Sequence, residues 1–459
     1  MSPTLPTNYN GETQLFLENI GAEVWDRLDI TTITDQTIVG TLLPRYLNTP
    51  EATLSLKLGS GYNTGVRLRN IRSVKVLSKG TVEEEGELPS ATTQLFQSWN
   101  AQGRNKVTVL SCGGTIASRL DYRTGAVVPT LTSDDLLRMN PELAELATIE
   151  TQILLNELSE DLTITHWLEV ARNVAKALNN GAHGVVVAHG TDTLAYGAAT
   201  LALALRALSG PVVITGAQRS TDRPSSDQYQ NLRDSVYVAA HANRAEVVVC
   251  LHQNSSDGYS ALHRPTWVRK MHSSRRDAFR TINGGILGHV SAEERQIQWT
   301  GTDDRDQGGQ AGRKTTRTTW VDERFDQRVT LLYTYPGMDP AVVESVISQG
   351  YKGLVLAGTG MGHCPRNLLP VLRQIIKEGV VVVMTTQTLA GTTGLQVYRR
   401  GRELLQLGVL PGGYLLPETA FVKLCFVLGH AQTPEAVKDL FNQNIAGERL
   451  TRELIGAFP

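Results

Sequence analysis

Residues 185–208 read VVVAHGTDTLAYGAATLALALRAL, and they are the clearest indication of the fold class. Its three valines are typical of a short strand buried on both faces, and its alanines and leucines from residue 194 onward are typical of a helix. A glycine turn with hydroxyl and carboxylate side chains joins the two. A strand, a turn and a helix in this order are half of a βαβ unit, which predicts a mostly parallel sheet.

The same alternation continues along the chain after Lys106. A helical pattern that ends at Asn180-Gly181, a typical C-terminal cap, precedes the stretch just quoted. Further β-branched runs occupy residues 107–110, 212–215, 246–251, 353–356 and 380–384. We therefore predict two α/β domains with parallel sheets, at residues 105–300 and 329–459, with a polar loop or hinge at 301–328 between them.

The first 80 residues follow a different pattern. Leu54, Leu56 and Leu58 alternate with polar residues, as in a half-buried strand, and residues 59–65 then supply a hairpin turn. Together with the apolar run at 37–43, they predict a small β-barrel domain over residues 1–80. Residues 81–104 contain an acidic run and several polar residues, which predicts a linker.

Composition and charge exclude several classes of protein. Apolar residues make up 41% and charged residues 19% of 459 residues, so the chain can bury a large core and is not disordered as a whole. Lys and Arg total 44 against 45 for Asp and Glu, and this balance argues against a dedicated nucleic-acid-binding protein. No uninterrupted apolar run reaches the roughly 18 residues of a membrane span.

The cysteines and the N-terminal stretch predict a cytoplasmic location. The four cysteines include no CxxC pair, which argues against a cysteine zinc site, and they are too few for a disulfide framework. Reduced thiols that serve as packing residues are typical of intracellular proteins. Residues 1–12 are polar and lack the apolar segment of a secretory signal.

The loops that follow the strands are the candidate site, because ligands bind an open α/β sheet beyond the carboxyl ends of its strands. SCGGTIAS at 111–118 presents the hydroxyl of Thr115, HGTDT at 189–193 presents Thr191 and Asp192, and GAQR follows at 216–219. A threonine becomes a nucleophile only when a base takes its proton. Lys270 is a candidate for that base, provided that its pKa is lowered from about 10.4.

Each of these features also has a purely structural interpretation. Gly113-Gly114 fits an ordinary βα turn, Thr191-Asp192 fits a helix N-cap, and Lys270 fits a solvated surface charge. Three other candidate bases lack metal-ligand spacing and are more typical of packing or surface positions: His189, His263 and His272. Three such loops after three successive strands favour a shared ligand site over three unrelated turns.

The motifs resemble, in order, those of the bacterial-type L-asparaginase/glutaminase family: GGTIA at 113–117, HGTDT at 189–193 and TGAQR at 215–219. RKMHS at 269–273 is similar to the family's segment with the catalytic lysine, and the likeness extends over residues 105–459. The resemblance implies an asparaginase-like body of two α/β domains, preceded here by the small β-barrel domain. Cys112 stands where the family often has threonine, and we expect it to be a packing residue.

The resemblance also implies a role for each matching residue. Thr115 would attack the side-chain amide carbon of glutamine, and Thr191, Asp192 and Lys270 would form a hydrogen-bonded group that aids proton transfer. Since a nearby carboxylate favours a charged lysine and only burial opposes it, we expect a desolvated cluster that shares protons. The implied substrate-binding positions are Tyr122 on a mobile lid, Ser159, Glu160 and the backbone near Ala217.

A narrower resemblance concerns the partners. The N-terminal domain, the acidic linker, DYRTGAV at 121–127 and NELSED at 156–161 are similar to the glutaminase subunits of archaeal tRNA-dependent amidotransferases. This implies no metal or cofactor in this chain, and an E-type partner subunit that uses ATP and Mg²⁺ to activate Glu-tRNA(Gln). It also implies a homodimer of this chain within a heterotetramer.

Two alternatives stay open at this point. One is a free-standing cytoplasmic L-asparaginase/glutaminase with an extra domain. The other is an inert binding protein in which the N-terminal domain docks RNA or protein.

Overall fold

A computed structural model describes most of the chain. The described residues are 9–44, 52–58, 63–79, 104–113, 118–120, 127–129, 142–219, 225–300 and 316–452. Nearly all of the predicted linker at 81–104 and the polar loop at 301–315 lie outside them, as do Thr115 and Tyr122.

The N-terminal residues form a five-stranded antiparallel sheet within the described part of the chain, in the order β4-β3-β2-β1-β5. Helix α1 (Gly11–Ile20) precedes the sheet and ends at Gly21, whose φ of 62° is left-handed. The leucine alternation places Leu54 and Leu56 in the core of this unit. The strands are Arg27–Thr32 (β1), Thr37–Leu42 (β2), Thr53–Leu58 (β3), Asn63–Arg67 (β4) and Ile71–Ser78 (β5).

The small β-barrel predicted for residues 1–80 is not confirmed. A barrel requires the strands at the two ends of the sheet to pair with each other. A 3-10 turn at Leu68–Asn70 carries the chain from β4 into β5, and β5 then pairs with β1. Strands β4 and β5 therefore lie at opposite edges, and the sheet is open within the described residues.

The second unit is built on an eight-stranded sheet of described strands, in the order β18-β17-β14-β13-β12-β10-β6-β9. The pairings from β9 to β13 are parallel, as predicted, whereas β14, β17 and β18 extend the sheet in antiparallel fashion. The strands in chain order are Lys106–Ser111 (β6), Ser118–Leu120 (β7), Val127–Pro129 (β8), Thr148–Ile153 (β9), Gly184–Ala188 (β10), Leu205–Arg206 (β11), Val212–Thr215 (β12), Val247–His252 (β13), Ser260–His263 (β14), Val268–Lys270 (β15), Phe279–Thr281 (β16), Gly288–Ser291 (β17), Gln296–Trp299 (β18) and Trp320–Val321 (β19).

Helices cross between the parallel strands on both faces of this sheet. Those described are Leu143–Leu146 (α2), Ile164–Asn179 (α3), Leu194–Ala204 (α4) and Gln228–His241 (α5). The predicted periodic stripe of α3 is buried, and a capping box of Thr163 and His166 begins the helix. Helix α4 ends earlier than residue 208, because the backbone of Leu205 and Arg206 pairs with β19.

The last third of the chain forms a four-stranded parallel sheet with its own helices, in the order β20-β21-β22-β23. Its elements are Val329–Tyr333 (β20), Pro340–Ser348 (α6), Gly353–Gly358 (β21), Leu368–Lys377 (α7), Val381–Thr386 (β22), Arg399–Leu407 (α8), Leu410–Pro411 (β23), Pro417–His430 (α9) and Pro434–Asn442 (α10). Helix α9 packs on α4, so one hydrophobic core continues from the large sheet to the small one.

The cysteines confirm their predicted packing role. All four are buried and outside any disulfide, and burial raises the pKa of Cys112 to about 12, with Glu169 adding to the rise. Among the described helices, none combines the length and apolar character needed to cross a membrane.

Candidate active site

The loop between β10 and α4 brings its polar side chains to the carboxyl edge of the large sheet. Gly190 permits this approach, because a Cβ there would lie 2.6 Å from the Cβ of Ser159. Thr193 Oγ1 donates to the carbonyl of Ser159 at 2.6 Å, which joins this loop to the 3-10 turn Ser159–Asp161. Thr191, between them, is almost completely buried.

Lys270 meets this loop from β15, which is separated from it by nearly 80 residues of sequence. Its Nζ donates to Thr191 Oγ1 at 2.9 Å and to Asp192 Oδ1 at 2.6 Å. The Lys270 side chain is 16% exposed and that of Asp192 is 66% exposed. The structure thus brings Thr191, Asp192 and Lys270 together. The lysine is largely shielded from solvent, whereas the carboxylate of Asp192 is open to it.

Of the predicted substrate-binding positions, Ser159, Glu160 and Ala217 are described, and they lie in the loops next to this group. Ser159 is buried and its Oγ is 3.5 Å from Glu160 Oε2, whereas the Glu160 carboxylate itself is exposed. Ala217 is buried just beyond β12, and Gly216 before it lies close to the Thr191 side chain. An exposed carboxylate, a buried hydroxyl and a loop backbone suit an amino-acid ligand with both ammonium and carboxylate groups.

The first predicted loop is described only at its start. The backbone N–H of Cys112 donates to the carbonyl of Ala188 at 2.9 Å, so β6 and β10 end side by side. Gly113 has a φ of 88°, and a Cβ there would meet the carbonyl of Glu157 at 2.6 Å. Thr115 and Tyr122 follow this point but lie outside the described residues, so their positions stay predictions.

The three histidine candidates are confirmed as packing or surface residues. His189 Nε2 accepts from Trp167 Nε1 at 3.0 Å, so its proton is on Nδ1, which donates to the carbonyl of Gly190 at 2.6 Å. Burial lowers the pKa of His189 and keeps the ring neutral. Burial likewise lowers the pKa of His263 to about 3, and exposed His272 accepts from two backbone N–H groups.

Sequence reasoning missed a buried network that supports the third loop. Asp227 accepts from the backbone N–H groups of Gln218 and Arg219, at 2.9–3.1 Å. Asn231, one helical turn later, donates to Asp227 Oδ2 at 3.0 Å and to the carbonyl of Gly216 at 2.9 Å. Two polar residues four apart, at the N-cap and in the first turns of a helix that packs against the sheet, were the available signal.

The β15–β16 hairpin that carries Lys270 is closed by an ion-pair cluster. Arg275 and Arg280 both donate to the buried carboxylate of Asp277, at 2.6–2.9 Å. The hydrogen bonds from Arg275, supported by those from Arg280 and opposed by burial, lower the pKa of Asp277 to about 2. The hairpin is therefore stabilised by a carboxylate that stays ionised well below its ordinary pKa.

We expect Asp277→Asn to lower the free energy of unfolding by about 1–2 kcal/mol at pH 7. The value is this small because Arg275 and Arg280 are partly exposed, so solvent screens their attraction to the carboxylate. Because the folded pKa lies below the unfolded value, the wild-type advantage should be complete above about pH 4 and shrink as pH falls toward 2. Urea unfolding at pH 7, 4 and 3 measures the difference. A gap that does not change down to pH 3 would show that the charge of Asp277 does not stabilise the hairpin.

The described residues contain no group of three or more His, Cys, Asp or Glu side chains arranged to hold a metal ion. The chemistry available at the Thr191–Lys270 group is proton transfer by an ammonium beside a hydroxyl and a carboxylate.

Comparisons with known proteins show which family the chain belongs to. Three family models match the chain: Asparaginase, N-terminal, over residues 106–303; Glutaminase/Asparaginase C-terminal domain, over 328–441; and GatD N-terminal domain, over 22–77. The chain is similar to the D subunit of glutamyl-tRNA(Gln) amidotransferase from Pyrococcus abyssi, with 42% identity over 94% of this chain and 96% of the relative. The same protein of Saccharolobus islandicus is 39% identical over 98% of both chains.

Solved asparaginase structures share the fold of the second and third units. The thermostable L-asparaginase from Thermococcus kodakarensis is 32% identical, with a TM-score of 0.65 over 75% of this chain and 98% of that one. L-asparaginase I from Vibrio cholerae is 26% identical, with a TM-score of 0.63 over 76% of this chain and 100% of that one. These enzymes are matched over almost their full length, while about a quarter of this chain has no counterpart in them.

Proposed function

Because the chain belongs to the family of glutamyl-tRNA(Gln) amidotransferase D subunits, and is thus the amidohydrolase component of such an enzyme, we propose that it hydrolyses glutamine and supplies the ammonia to a partner subunit. The partner would be the E subunit, which uses ATP and Mg²⁺ to activate Glu-tRNA(Gln) and converts it to Gln-tRNA(Gln). The proposed assembly is a homodimer of this chain within a heterotetramer. The near-neutral charge of the chain supports the view that the partner makes most of the tRNA contacts.

The single observation that carries the proposal is the Thr191–Asp192–Lys270 group. An ammonium within hydrogen-bonding distance of a buried hydroxyl and a carboxylate is an arrangement that can move protons. The group lies at the carboxyl edge of the sheet, because Thr191 follows by three residues the last residue of β10, which pairs with the last residue of β6. The proposed nucleophile, Thr115, follows β6 by four residues.

The proposed reaction has two steps. Thr115 Oγ1 attacks the side-chain amide carbon of glutamine, and its proton passes through the Thr191–Lys270 group to the amide nitrogen. The C–N bond breaks, ammonia leaves, and a glutamyl ester of Thr115 is formed. Water then attacks the ester, glutamate leaves, and the proton returns to the Thr115 hydroxyl.

Substrate recognition in this proposal uses the residues around the group. The exposed carboxylates of Glu160 and Asp192 pair with the α-ammonium of glutamine, and Ser159 lies at the same end of the ligand. Backbone N–H groups near Thr191 and Ala217 take the α-carboxylate or the developing oxyanion. Tyr122 closes over the site as part of a lid and excludes water.

The complex offers a direct test through added ammonia. We expect wild-type chain with the E subunit, ATP and Mg²⁺ to form Gln-tRNA(Gln) from either glutamine or ammonium chloride. The complex with Thr115→Ala should use ammonium chloride alone, because only amide hydrolysis requires the Thr115 hydroxyl. Formation of Gln-tRNA(Gln) and release of glutamate are the measurements.

The outcome separates the alternatives. Rapid asparagine hydrolysis by the isolated chain, unaffected by the partner and Glu-tRNA(Gln), would instead support a free-standing asparaginase. Unchanged glutamine use by Thr115→Ala would support an inert binding protein. The match of residues 22–77 to an N-terminal domain that the solved asparaginases lack favours the amidotransferase.

A further inference from the structure

The hairpin that carries Lys270 is held at both of its ends by the C-terminal domain. At the entry, Thr419 Oγ1 donates to the carbonyl of Thr266 at 2.7 Å. At the exit, Asn283 Nδ2 donates to the carbonyl of Gly391 at 3.1 Å and Asn283 Oδ1 accepts from its N–H at 2.6 Å. Residues of the other domain therefore help to position the strand that supplies Lys270 to the site.

A buried ion pair joins the two domains next to Lys270 itself. Arg269 Nε lies 3.0 Å from Glu418 Oε1 in the first turn of α9, and Arg269 Nη2 donates to the hydroxyl of Tyr333 at the end of β20, also at 3.0 Å. The Arg269 and Glu418 side chains are 14% and 12% exposed. At this burial, solvent and salt screen the attraction weakly, so the pair can hold the strand in one place.

The two charges depend mainly on each other. Within the described residues, Arg269 Nη1 and Glu418 Oε2 have no hydrogen-bond partner. Neutralising Glu418 would leave the Arg269 guanidinium buried, with the neutral Tyr333 hydroxyl to accept one of its hydrogen bonds. Since Arg269 and Lys270 are consecutive residues of β15, a displacement of the Arg269 backbone also displaces Lys270.

We propose that Glu418 is a positioning residue for amide hydrolysis, which acts through Arg269 to hold Lys270 Nζ within hydrogen-bonding distance of Thr191 and Asp192. The inference rests on the proposed glutaminase function, since it assigns a role within that same site. It places part of the catalytic geometry under the control of the C-terminal domain. When a reacting group is displaced by about 1 Å, the reaction rate can fall by about 100-fold.

The test is Glu418→Gln, which keeps the size of the side chain and removes its charge. In the assembled complex, we expect kcat for glutamine hydrolysis to fall by about 10–100-fold while KM stays within about threefold of wild type. Introduced into Lys270→Met, the same change should lower the residual single-turnover rate by less than about twofold, because it acts through Lys270. Glu323→Gln, which breaks the exposed Arg172–Glu323 pair, is the matched control and should leave kcat unchanged.

Two results would overturn the proposal. One is a kcat for Glu418→Gln equal to that of Glu323→Gln, and the other is an equal fold decrease in rate from Glu418→Gln in the wild-type and Lys270→Met backgrounds. If the Glu418→Gln complex does not assemble, Arg269→Lys replaces it in the comparison with and without Lys270. Lysine keeps the positive charge beside Glu418 but loses the contact that the guanidinium makes with the Tyr333 hydroxyl. Thr115→Ala, measured alongside, keeps the two proposals apart. If the wild-type complex hydrolyses glutamine no faster than the Thr115→Ala complex, the glutaminase function is rejected. If Thr115→Ala loses glutamine hydrolysis and Glu418→Gln does not, only the role of Glu418 is rejected.

Discussion

Replacing Lys270 by methionine is expected to lower kcat for glutamine hydrolysis by about 10²–10⁴-fold, the usual contribution of a positioned acid or base. Methionine retains most of the aliphatic stem and removes the ammonium that donates to Thr191 Oγ1 and Asp192 Oδ1. Without it, the proton of the attacking hydroxyl has no route to the leaving nitrogen. The loss should appear in kcat, because the α-ammonium and α-carboxylate of glutamine bind to other groups.

The measurement is glutamate release by the complex, with ammonium-dependent formation of Gln-tRNA(Gln) as the check on folding and assembly. Lys377→Met removes an exposed lysine from the C-terminal domain and is the matched control. If Lys270→Met keeps half of the wild-type rate while Thr115→Ala is inactive, the proton takes another path. The Thr191–Lys270 contact would then be structural.

The parts of the site that could be predicted from the sequence are those that follow a strand directly. Thr191 and Asp192 lie on a glycine turn between a valine strand and an Ala/Leu helix, and the structure places them at the carboxyl edge as expected. The rule that ligands bind at this edge depends on strand direction alone, which the βαβ pattern determines. Local sequence is therefore enough for these residues.

Residue type alone made Lys270 one of four candidate bases, and only the family resemblance assigned it to the site. It lies on a strand of three residues, Val268–Lys270, which is too short to show a period. Its contact with Thr191 depends on a hairpin held by Thr419 and Glu418 from helix α9, about 150 residues later in the chain. Contacts of this kind come from tertiary packing, and the same reason explains why Asp227 and Asn231 were missed.

The prediction of a small β-barrel was not confirmed for a related reason. Alternation along Leu54, Leu56 and Leu58 predicts a strand with one buried face, and the structure contains that strand. Closure depends on which strands pair at the two edges, and β5 pairs with β1 instead of β4. The period of a strand gives its faces and does not give its neighbours.

A second large effect is expected from Lys423→Met, which should lower the free energy of unfolding by about 3–5 kcal/mol. Lys423 and Glu448 form a completely buried ion pair between α9 and the segment after α10, and Lys423 Nζ also donates to the carbonyl of Gln443 at 2.6 Å. Burial lowers the pKa of Lys423, and the charge of Glu448 opposes that shift. Methionine fills the space but leaves the Glu448 carboxylate buried without the ammonium that it pairs with.

The double variant Lys423→Met, Glu448→Gln distinguishes a loss of charge balance from a loss of packing. A glutamine oxygen can still accept from the backbone N–H groups of Ile445 and Ala446, which donate to Glu448 at 2.7–3.1 Å. We therefore expect the double variant to recover most of the loss and to remain within about 1–2 kcal/mol of wild type in urea unfolding. A double variant as unstable as Lys423→Met would mean that the lysine stabilises the segment through its stem and its bond to Gln443. Because the carbonyl of Glu448 also accepts from Trp267, three residues before Lys270, the unstable variant should lose glutamine hydrolysis at a lower urea concentration than wild type.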